Sequence, residues 1–400
     1  MLVSVGGSAH GAPVFWLRVR VFVSGSVGVW GRLAALWVLC AMLSVVLAVA
    51  GPSADAQADW NQIGLDIDGE IANDQSGYSV ATNAAGDTVI IGAPYAGVNG
   101  NGSGQARVFT LIDGVWVQVG ADIDGEAAGD SSGYSVAMNA VGDTVIIGAV
   151  GNDDNGSNSG HARVFTLTDG AWVQVGADID GENAGDLSGY SVAMNAAGDT
   201  VIIGAYGNDD NGNGSGHARV FTLTGGAWVQ VGADIDGEAE FDWSGWSVAM
   251  NAAGDTVIIG ATGNDDNGNA SGHVRVYELT GGVWVQVGAD IDGEAAEDQS
   301  SFSVAMDAVG DTVIIGAPFN DGNGNESGHA RVFTLTDGAW DQVGDDIDGE
   351  NAFDRSGWSV AMNAGGDTVI IGARYNDGNG NSSGHARVFT LTDGAWDQVG

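Results

Sequence analysis

A strict repeat constrains this chain more than any other feature. Tryptophan recurs every 56 residues, at Trp60, Trp116, Trp172, Trp228, Trp284, Trp340 and Trp396. The sequence between successive tryptophans is nearly the same in every unit. A fixed period of this length indicates an architecture built by repeating one supersecondary unit. We assign residues 59–400 to these repeats and residues 1–58 to an N-terminal leader and export signal.

The N-terminal segment has the order of features expected of an export signal. Residues 33–50 form an apolar run after Arg32, and small residues follow it, as in Ala56-Gln57-Ala58. This order predicts a signal peptide removed before Asp59, and therefore a secreted or cell-surface protein. The run is long for a signal core, so an uncleaved membrane anchor is the alternative. Membrane attachment is otherwise expected only through a missing C-terminal part.

The charge of the chain limits its partners. The sequence holds 52 acidic residues against 11 basic ones, its formal net charge is −41, and it contains no lysine. Such a surface repels phosphate, so we expect no nucleic-acid partner. A solvated acidic surface is the simplest explanation of this composition. The same charge makes divalent cations plausible partners.

Each unit reads as four short strands. In the second unit, β-prone segments occupy residues 134–138, 144–148, 162–167 and 172–175, here named strands A, B, C and D. The C–D connection contains Asp169-Gly170, a strong hairpin signal. Nothing in the unit has helical periodicity. The sequence therefore predicts an all-β fold, a β-propeller of four-stranded antiparallel blades with six complete 56-residue repeats.

The connections differ in length and therefore in expected role. The A–B and C–D connections are short, whereas the B–C and D–A connections are long and polar. Up-and-down strand order places all B–C and D–A loops on one face of the propeller. Loops carried by a rigid scaffold are where binding usually resides, so we expect the functional surface there.

The number of blades follows from counting strands. Strand D is predicted seven times, because Trp60 to Gly64 precedes the first strand A, but the other strands are predicted only six times. The chain also ends at Gly400, where other units continue. We therefore expect a seven-bladed propeller with its last blade truncated, and a six-bladed ring is the alternative.

The motifs of strands A and B resemble a known family. Ser-Gly-Tyr-Ser-Val-Ala at residues 76–81, followed by Val-Ile-Ile-Gly-Ala, is similar to the FG-GAP repeat of integrin α-chain propellers and their bacterial relatives. Serine replaces the family's phenylalanine before this glycine, and Ser301 replaces the glycine itself in the fifth unit. The resemblance implies a propeller, export, and a role in adhesion or ligand binding. The family's calcium loop between strands A and B does not carry over, because that connection here is Asn-Ala-Ala-Gly-Asp.

The D–A loops repeat a pattern of four acidic residues that could converge on a hard cation. We predict candidate Ca²⁺ ligands in three of these loops. They are Asp66, Asp68, Glu70 and Asp74; Asp122, Asp124, Glu126 and Asp130; and Asp178, Asp180, Glu182 and Asp186. The alternative is a solvated acidic loop whose carboxylates cap turns or pair with arginine.

The B–C loops offer a second candidate cation site. Asp209, Asn211 and Asn213 match the start of a calcium-binding loop, but the position of its bidentate glutamate is held by Val220. An Asn/Gly-rich turn is the alternative interpretation.

Two further residue types recur once per unit on strand C. Histidine occupies one equivalent position in five units, and we assign it a structural role at the loop-to-strand junction. Arginine follows two residues later in all six units, and we expect it to pair with an aspartate. The histidines are His161, His217, His273, His329 and His385, with Gln105 in the first unit.

No nucleophile–base–acid set stands out, and the near-perfect symmetry favours a scaffold over an enzyme. We therefore predict an exported, non-catalytic propeller that binds an extracellular protein or glycan through its B–C and D–A loop face, with Ca²⁺ stiffening the loops. The alternatives are a polysaccharide-acting propeller enzyme and a structural repeat domain of a larger surface protein.

Overall fold

The computed structural model describes residues 60–400 and, before them, only the strands Leu2–Ser4 and Arg18–Arg20, which pair antiparallel. The chain forms two compact units, Met1–Ala58 and Asp59–Gly400. The predicted export signal and its cleavage site lie outside the described residues. Within the described ranges, no helix is long and apolar enough to cross a membrane.

Residues 79–399 form six antiparallel sheets, and each is one blade with strand order A-B-C-D. The A strands are Ser79–Thr82, Ser132–Met138, Ser191–Met194, Ser244–Met250, Ser303–Met306 and Ser356–Met362. The B strands are Thr88–Ala93, Thr144–Ala149, Thr200–Ala205, Thr256–Ala261, Thr312–Ala317 and Thr368–Ala373. The C strands are Gln105–Ile112, His161–Thr168, His217–Thr224, His273–Thr280, His329–Thr336 and His385–Thr392. The D strands are Val115–Gln118, Ala171–Gln174, Ala227–Gln230, Val283–Gln286, Ala339–Gln342 and Ala395–Val399.

These sheets confirm the predicted all-β propeller of four-stranded antiparallel blades, and the described residues form six blades, as in the six-bladed alternative, rather than the expected seven. One element was not predicted. A two-residue strand E follows strand D in blades 1 to 5 and pairs with the start of strand C in the same blade. The E strands are Ile123–Asp124, Ile179–Asp180, Ile235–Asp236, Ile291–Asp292 and Ile347–Asp348. The predicted first D strand, residues 60–64, is not a strand.

The hydrophobic core lies between neighbouring blades. Between blades 1 and 2, Ile90 and Val108 pack against Val136, Ile147 and Phe165, and four more clusters of this kind join the following pairs of blades. Burying each such side chain contributes about 1.5–3 kcal/mol. Strand B is therefore a continuous apolar run, because it has a blade on each side.

Two recurring glycines allow the blades to approach closely. A Cβ atom on Gly148 of strand B would lie 2.1 Å from the carbonyl oxygen of Gly189 in the next blade. That oxygen accepts a hydrogen bond of 2.7 Å from Ser135 Oγ. The repeated Ser-Gly and Ile-Gly pairs thus form the seam between adjacent blades, because a Cβ on the strand B glycine would push the blades apart.

The repeat tryptophan links the outer edges of neighbouring blades. Trp172 Nε1 donates a hydrogen bond of 2.8 Å to the carbonyl oxygen of Val119 in the preceding unit. Its ring lies over Gly120, whose φ of +72° and lack of Cβ leave room for it. Trp60 makes the corresponding bond to Val399 at 3.2 Å. The Trp60 segment therefore occupies the outer position that follows blade 6.

Candidate functional site

The B–C and D–A loops lie together on one face, as the strand order predicted. In blade 2, Asn155 Nδ2 of the B–C loop donates to the carbonyl oxygen of Gly181 in the following D–A loop, at 2.7 Å. The same bond recurs from Asn211, Asn267 and Asn323. Amide side chains thus tie the two long loops of a unit into one surface.

Four groups on this face bring a histidine together with carboxylates, and we name them acid–His clusters 2 to 5 after their blades. In each cluster the candidate ligand atoms all lie within 4.8 Å of one another, so each could hold a metal ion. Their members are Glu126, Asp154, His161 and Asp178 in cluster 2; Glu182, Asp210, His217 and Asp234 in cluster 3; Glu238, Asp266, His273 and Asp290 in cluster 4; and Glu294, His329 and Asp346 in cluster 5.

The D–A loops before and after a blade and the start of its strand C assemble each cluster, and in clusters 2 to 4 the B–C loop adds an aspartate. In cluster 2, His161 begins strand C and Asp154 comes from the B–C loop of the same blade. Strand E places Asp178 close to His161, because Asp180, two residues later, pairs with His161 in the sheet. Gln174 Nε2 donates to Asp178 Oδ1 at 2.6 Å and holds its carboxylate in place. Glu126 arrives from the D–A loop that precedes the blade.

The recurring arginine of strand C positions the glutamate of each cluster. Arg163 Nη1 lies 3.5 Å from Glu126 Oε1, and Arg163 Nη2 donates to the carbonyl oxygen of Asp124 at 2.7 Å. The arginine is buried, and it lies over the ring of Phe165. The expected aspartate partner is therefore replaced by a glutamate carboxylate and an aspartate carbonyl. Glu126 keeps its second oxygen for the histidine.

The histidines of clusters 2 to 5 are fully buried, which the assigned structural role at a loop-to-strand junction did not anticipate. Burial, followed by the neighbouring arginine charge, lowers the pKa of His161, His217 and His273, and it lowers the pKa of His329 to about 4. Each imidazole is therefore neutral at pH 7. A neutral imidazole can bind a metal ion or accept a proton.

The D–A loop residues predicted as one calcium set divide into separate roles. Asp130 Oδ2 accepts a hydrogen bond of 2.8 Å from the backbone N–H of Ala127, and Asp74 and Asp186 cap the equivalent turns. Asp68, Asp124 and Asp180 give their carbonyl oxygens to the arginines. Asp66 and Asp122 accept from a glutamine four residues earlier. Among these twelve residues, Glu126, Asp178 and Glu182 belong to the clusters.

The predicted B–C ligands are held by the backbone. Asp209 Oδ1 accepts from the N–H of Gly214 at 2.7 Å, and Asn211 Nδ2 donates to the carbonyls of Gly237 and Glu238. The carbonyl oxygen of Asn213 accepts from Phe241 N. These bonds close the loop as an Asn/Gly-rich turn. The residue that joins a cluster is the neighbouring Asp210, which the calcium-loop pattern passed over.

A second feature lies at the inner edges of the blades, where the A strands contact one another. One aromatic residue per blade, at or just before strand A, contacts the next with ring centroids 4.5–5.5 Å apart. We name this arc the aromatic collar; its members are Tyr78, Tyr134, Tyr190, Trp246, Phe302 and Trp358. Burial raises the pKa of the three tyrosines, so their hydroxyls stay neutral.

An arginine lies at the end of the collar. The exposed Arg374 guanidinium lies 4.6 Å from the ring centroid of Trp358, and its charge also acts on the Tyr78 hydroxyl. Nearby Arg355 is paired with Glu326. In the part of the chain that the structure describes, Arg374 has no carboxylate partner within ion-pair distance. The collar therefore combines apolar ring surfaces with one available cation.

Solved structures share the fold at low identity. A periplasmic gluconolactonase from Pseudomonas aeruginosa matches with a TM-score of 0.54 and 15% identity, over 80% of this chain and 84% of the other. A protein from Bacteroides uniformis, described as a candidate 6-phosphogluconolactonase, matches with a TM-score of 0.54 and 11% identity, over 80% and 83%. The hydrazine synthase of Kuenenia stuttgartiensis matches at 0.50 and 12%, over 83% and 80%. No curated protein sequence matches the chain.

These structures correct the prediction that the chain is not an enzyme. That prediction was wrong because it took near-symmetric repetition as evidence against catalysis, whereas two propellers of this fold are named as lactonases. At 11% and 15% identity the likeness shows the fold alone. Repetition in the scaffold leaves the chemistry of its loops open.

The sequence repeats also match a family model. The FG-GAP repeat model matches residues 122–165, 178–221, 234–277, 290–333 and 347–389, together more than half of the chain. Each match begins in a D–A loop and ends in strand C, so it covers the seam between blades, and the first four matches also contain most of an acid–His cluster. The chain therefore belongs to the FG-GAP repeat family.

Proposed function

We propose that the protein acts on carbohydrate and binds it at the aromatic collar. The observation that carries this proposal is the unbroken arc of six rings from six blades, with Arg374 at its end. The C–H faces of sugar rings stack on aromatic side chains, and small-ligand sites combine aromatic walls with a few placed polar groups. The Arg374 guanidinium favours a sugar that bears an acidic group.

We further propose hydrolysis as the reaction class. The acid–His clusters lie on the same face as the collar. Strands A and C of a blade are separated only by strand B, so about 10 Å lies between them. A neutral, buried imidazole beside carboxylates can serve as a general base. The lactonase names of two fold relatives support a sugar lactone, and a polysaccharide is the substrate predicted from the sequence.

Export to the cell surface or medium belongs to the same proposal, because polysaccharides are met there. Adhesion through a protein partner on the loop face stays a separate prediction. Calcium stiffening of the loops also stays a prediction. In the B–C loop of blade 3 it would require Ca²⁺ to draw Asp209 and Asn211 away from their backbone bonds. A melting temperature that rises with millimolar CaCl₂ would support it.

The collar can be tested with paired variants. Tyr78→Ala removes a half-exposed ring of the collar, whereas Tyr78→Phe keeps the ring and removes only the hydroxyl. Arg374→Gln removes the available cation, and Arg355→Gln makes the same charge change at a guanidinium already paired with Glu326. We expect at least tenfold weaker binding of acidic oligosaccharides with Tyr78→Ala and Arg374→Gln, and near-normal binding with the two controls.

Turnover is measured separately. Release of reducing ends from acidic polysaccharides and pH-stat titration of sugar-lactone opening would detect the two hydrolytic reactions. Folded wild-type protein that binds none of these sugars in a glycan array and opens no lactone would refute the proposal. Binding without turnover would support the collar as a sugar-binding site and refute the proposal of hydrolysis.

A further inference from the structure

The histidine of cluster 4 faces carboxylates that it does not hydrogen-bond. His273 is fully buried, and neither ring nitrogen has a hydrogen-bond partner among the described residues. Its Nδ1 lies 3.9 Å from Glu238 Oε2 and 4.0 Å from both Asp266 Oδ2 and Asp290 Oδ2. These distances are too long for hydrogen bonds. A buried nitrogen and three carboxylates thus converge on a point that no described protein donor satisfies.

The spacing of these atoms fits an ion between them. Zinc binds nitrogen and oxygen ligands at about 2.0–2.2 Å, so two ligand atoms of one ion lie about 3.0–4.2 Å apart. The atoms of each cluster lie within 4.8 Å of one another. A small contraction around the ion would bring them to bonding distance. Bringing several carboxylates this close without a cation would be costly, because like charges repel.

We propose that acid–His clusters 2 to 5 bind divalent transition-metal ions of the Zn²⁺ or Mn²⁺ type, one ion per cluster. Imidazole nitrogen is a ligand that these metals accept, whereas Ca²⁺ takes six to eight oxygens. The arrangement recurs in cluster 3, where His217 Nδ1 lies 3.9 Å from Glu182 Oε2. In cluster 5, His329 Nδ1 lies 3.8 Å from both Glu294 Oε2 and Asp346 Oδ2. This proposal is independent of sugar binding at the aromatic collar, but an imidazole nitrogen that binds a metal ion cannot also serve as the general base.

Each ion would join loop segments that the backbone keeps separate. In cluster 4 these are the D–A loop before the blade, its B–C loop and the D–A loop after it. The buried histidine closes the inner side of the site. The carboxylates are more open, with 43% of the Glu238 side chain and 60% of the Asp266 side chain exposed. An ion can therefore enter from solvent and keep bound water on its outer side.

The chain contains its own matched controls. Blade 1 has Gln105 and Val98 where the clusters have histidine and aspartate, and Gln105 Nε2 donates to Glu70 Oε2 at 3.3 Å. Blade 5 has Gly322 at the position of the B–C aspartate. In blade 6, the His385 side chain is 24% exposed. Glutamine and glycine at these positions are therefore already compatible with the fold.

The first test counts ions by equilibrium dialysis of the full chain after EDTA treatment. We expect four Zn²⁺ or Mn²⁺ ions per wild-type chain and three for His217→Gln, which copies Gln105. His385→Gln is the control and keeps four. Asp210→Gly, which copies Gly322, weakens one site at least tenfold. Fewer than one ion per wild-type chain, equal affinity for Ca²⁺, or an unchanged count in His217→Gln would overturn the proposal.

A second measurement needs no variant and decides the matter if His217→Gln fails to fold. Co²⁺ is added to the wild-type protein, and its visible absorption is recorded. Nitrogen and carboxylate ligands shift and intensify this absorption relative to aqueous Co²⁺. Such a band, saturating at four equivalents and removed by Zn²⁺, supports the proposal, whereas the spectrum of aqueous Co²⁺ alone contradicts it.

Discussion

Ser301 occupies a position that is glycine in the other five blades. The equivalent residues are Gly77, Gly133, Gly189, Gly245 and Gly357. Ser301 has φ of +77°, in the left-handed region that favours glycine, and it is fully buried. Its hydroxyl has no hydrogen-bond partner among the described residues. We therefore expect Ser301→Gly to stabilise the protein.

The size of the effect follows from these three features. Left-handed backbone costs a residue with a Cβ roughly 1–2 kcal/mol. A buried hydroxyl without a partner costs about 1–3 kcal/mol. Glycine gives the unfolded chain greater conformational freedom, which reduces this stabilisation by about 0.5–1 kcal/mol. The net stabilisation is about 2 kcal/mol. An unfolding entropy of about 2.1 cal/mol/K per residue over roughly 340 residues converts this to a rise in Tm of about 3 °C.

Calorimetric melting of Ser301→Gly and Gly189→Ser tests this reasoning. Gly189 has the same position in blade 3, and a Cβ there would lie 2.4 Å from the carbonyl oxygen of His161, at φ of +85°. We expect its serine variant to melt at least 3 °C lower by the same conversion. A Ser301→Gly variant whose Tm is unchanged or reduced, beside a destabilised Gly189→Ser, would refute the strain argument at blade 5.

Further predictions concern the repeat residues. Trp172→Phe loses the bond to Val119 and should lower the free energy of unfolding by about 0.5–1.5 kcal/mol, measured by urea unfolding. Arg219→Met removes the cation that pairs with the half-buried Glu182 and should lower the free energy of unfolding by about 1–3 kcal/mol. The loss is smaller than for a fully buried pair because solvent screens the glutamate. Arg355→Met, at a partly exposed pair, is the control. In metal-free buffer, the pKa of His329 is about 4 in the folded protein, against the ordinary histidine value of 6.5 in the unfolded chain. Between these two pH values the unfolded chain therefore binds more protons than the folded protein. The stability that is present above pH 6.5 is lost as the pH falls toward 4, by about 1.4 kcal/mol per pH unit. The slope should be smaller in His329→Gln than in the wild type, because this variant removes one of the four histidines whose pKa is lowered, and an identical pH profile would contradict it.

The strands could be predicted because their signals are local. Thr144 to Ala149 is a short apolar run bounded by turn residues, and Asp169-Gly170 marks the hairpin after strand C. Both signals act within a few residues of chain. Strand E could not be found in this way, because Ile179 and Asp180 are too few to show a pattern. It is defined by its pairing with the start of strand C, which is a tertiary contact and not a local signal.

The candidate site was harder to predict for a physical reason. Glu126, Asp154 and Asp178 come from three loops, and their convergence on His161 depends on the pairing of strand E and on contacts between blades. A pattern within one loop could not show this, so Asp130 was predicted as a ligand although it caps a turn. The histidine itself was visible in the sequence, and its repetition was the signal available.

The sequence by itself determined the repeat, its four main strands, the up-and-down order and the face that carries the long loops. All of these follow from periodicity and turn chemistry within single 56-residue units. Tertiary structure decided which polar groups meet, because each cluster takes side chains from loops on both sides of a blade. It also decided that six aromatic residues, one from each unit, form one collar. Contacts between repeats, rather than residues within a repeat, give this propeller its candidate sites.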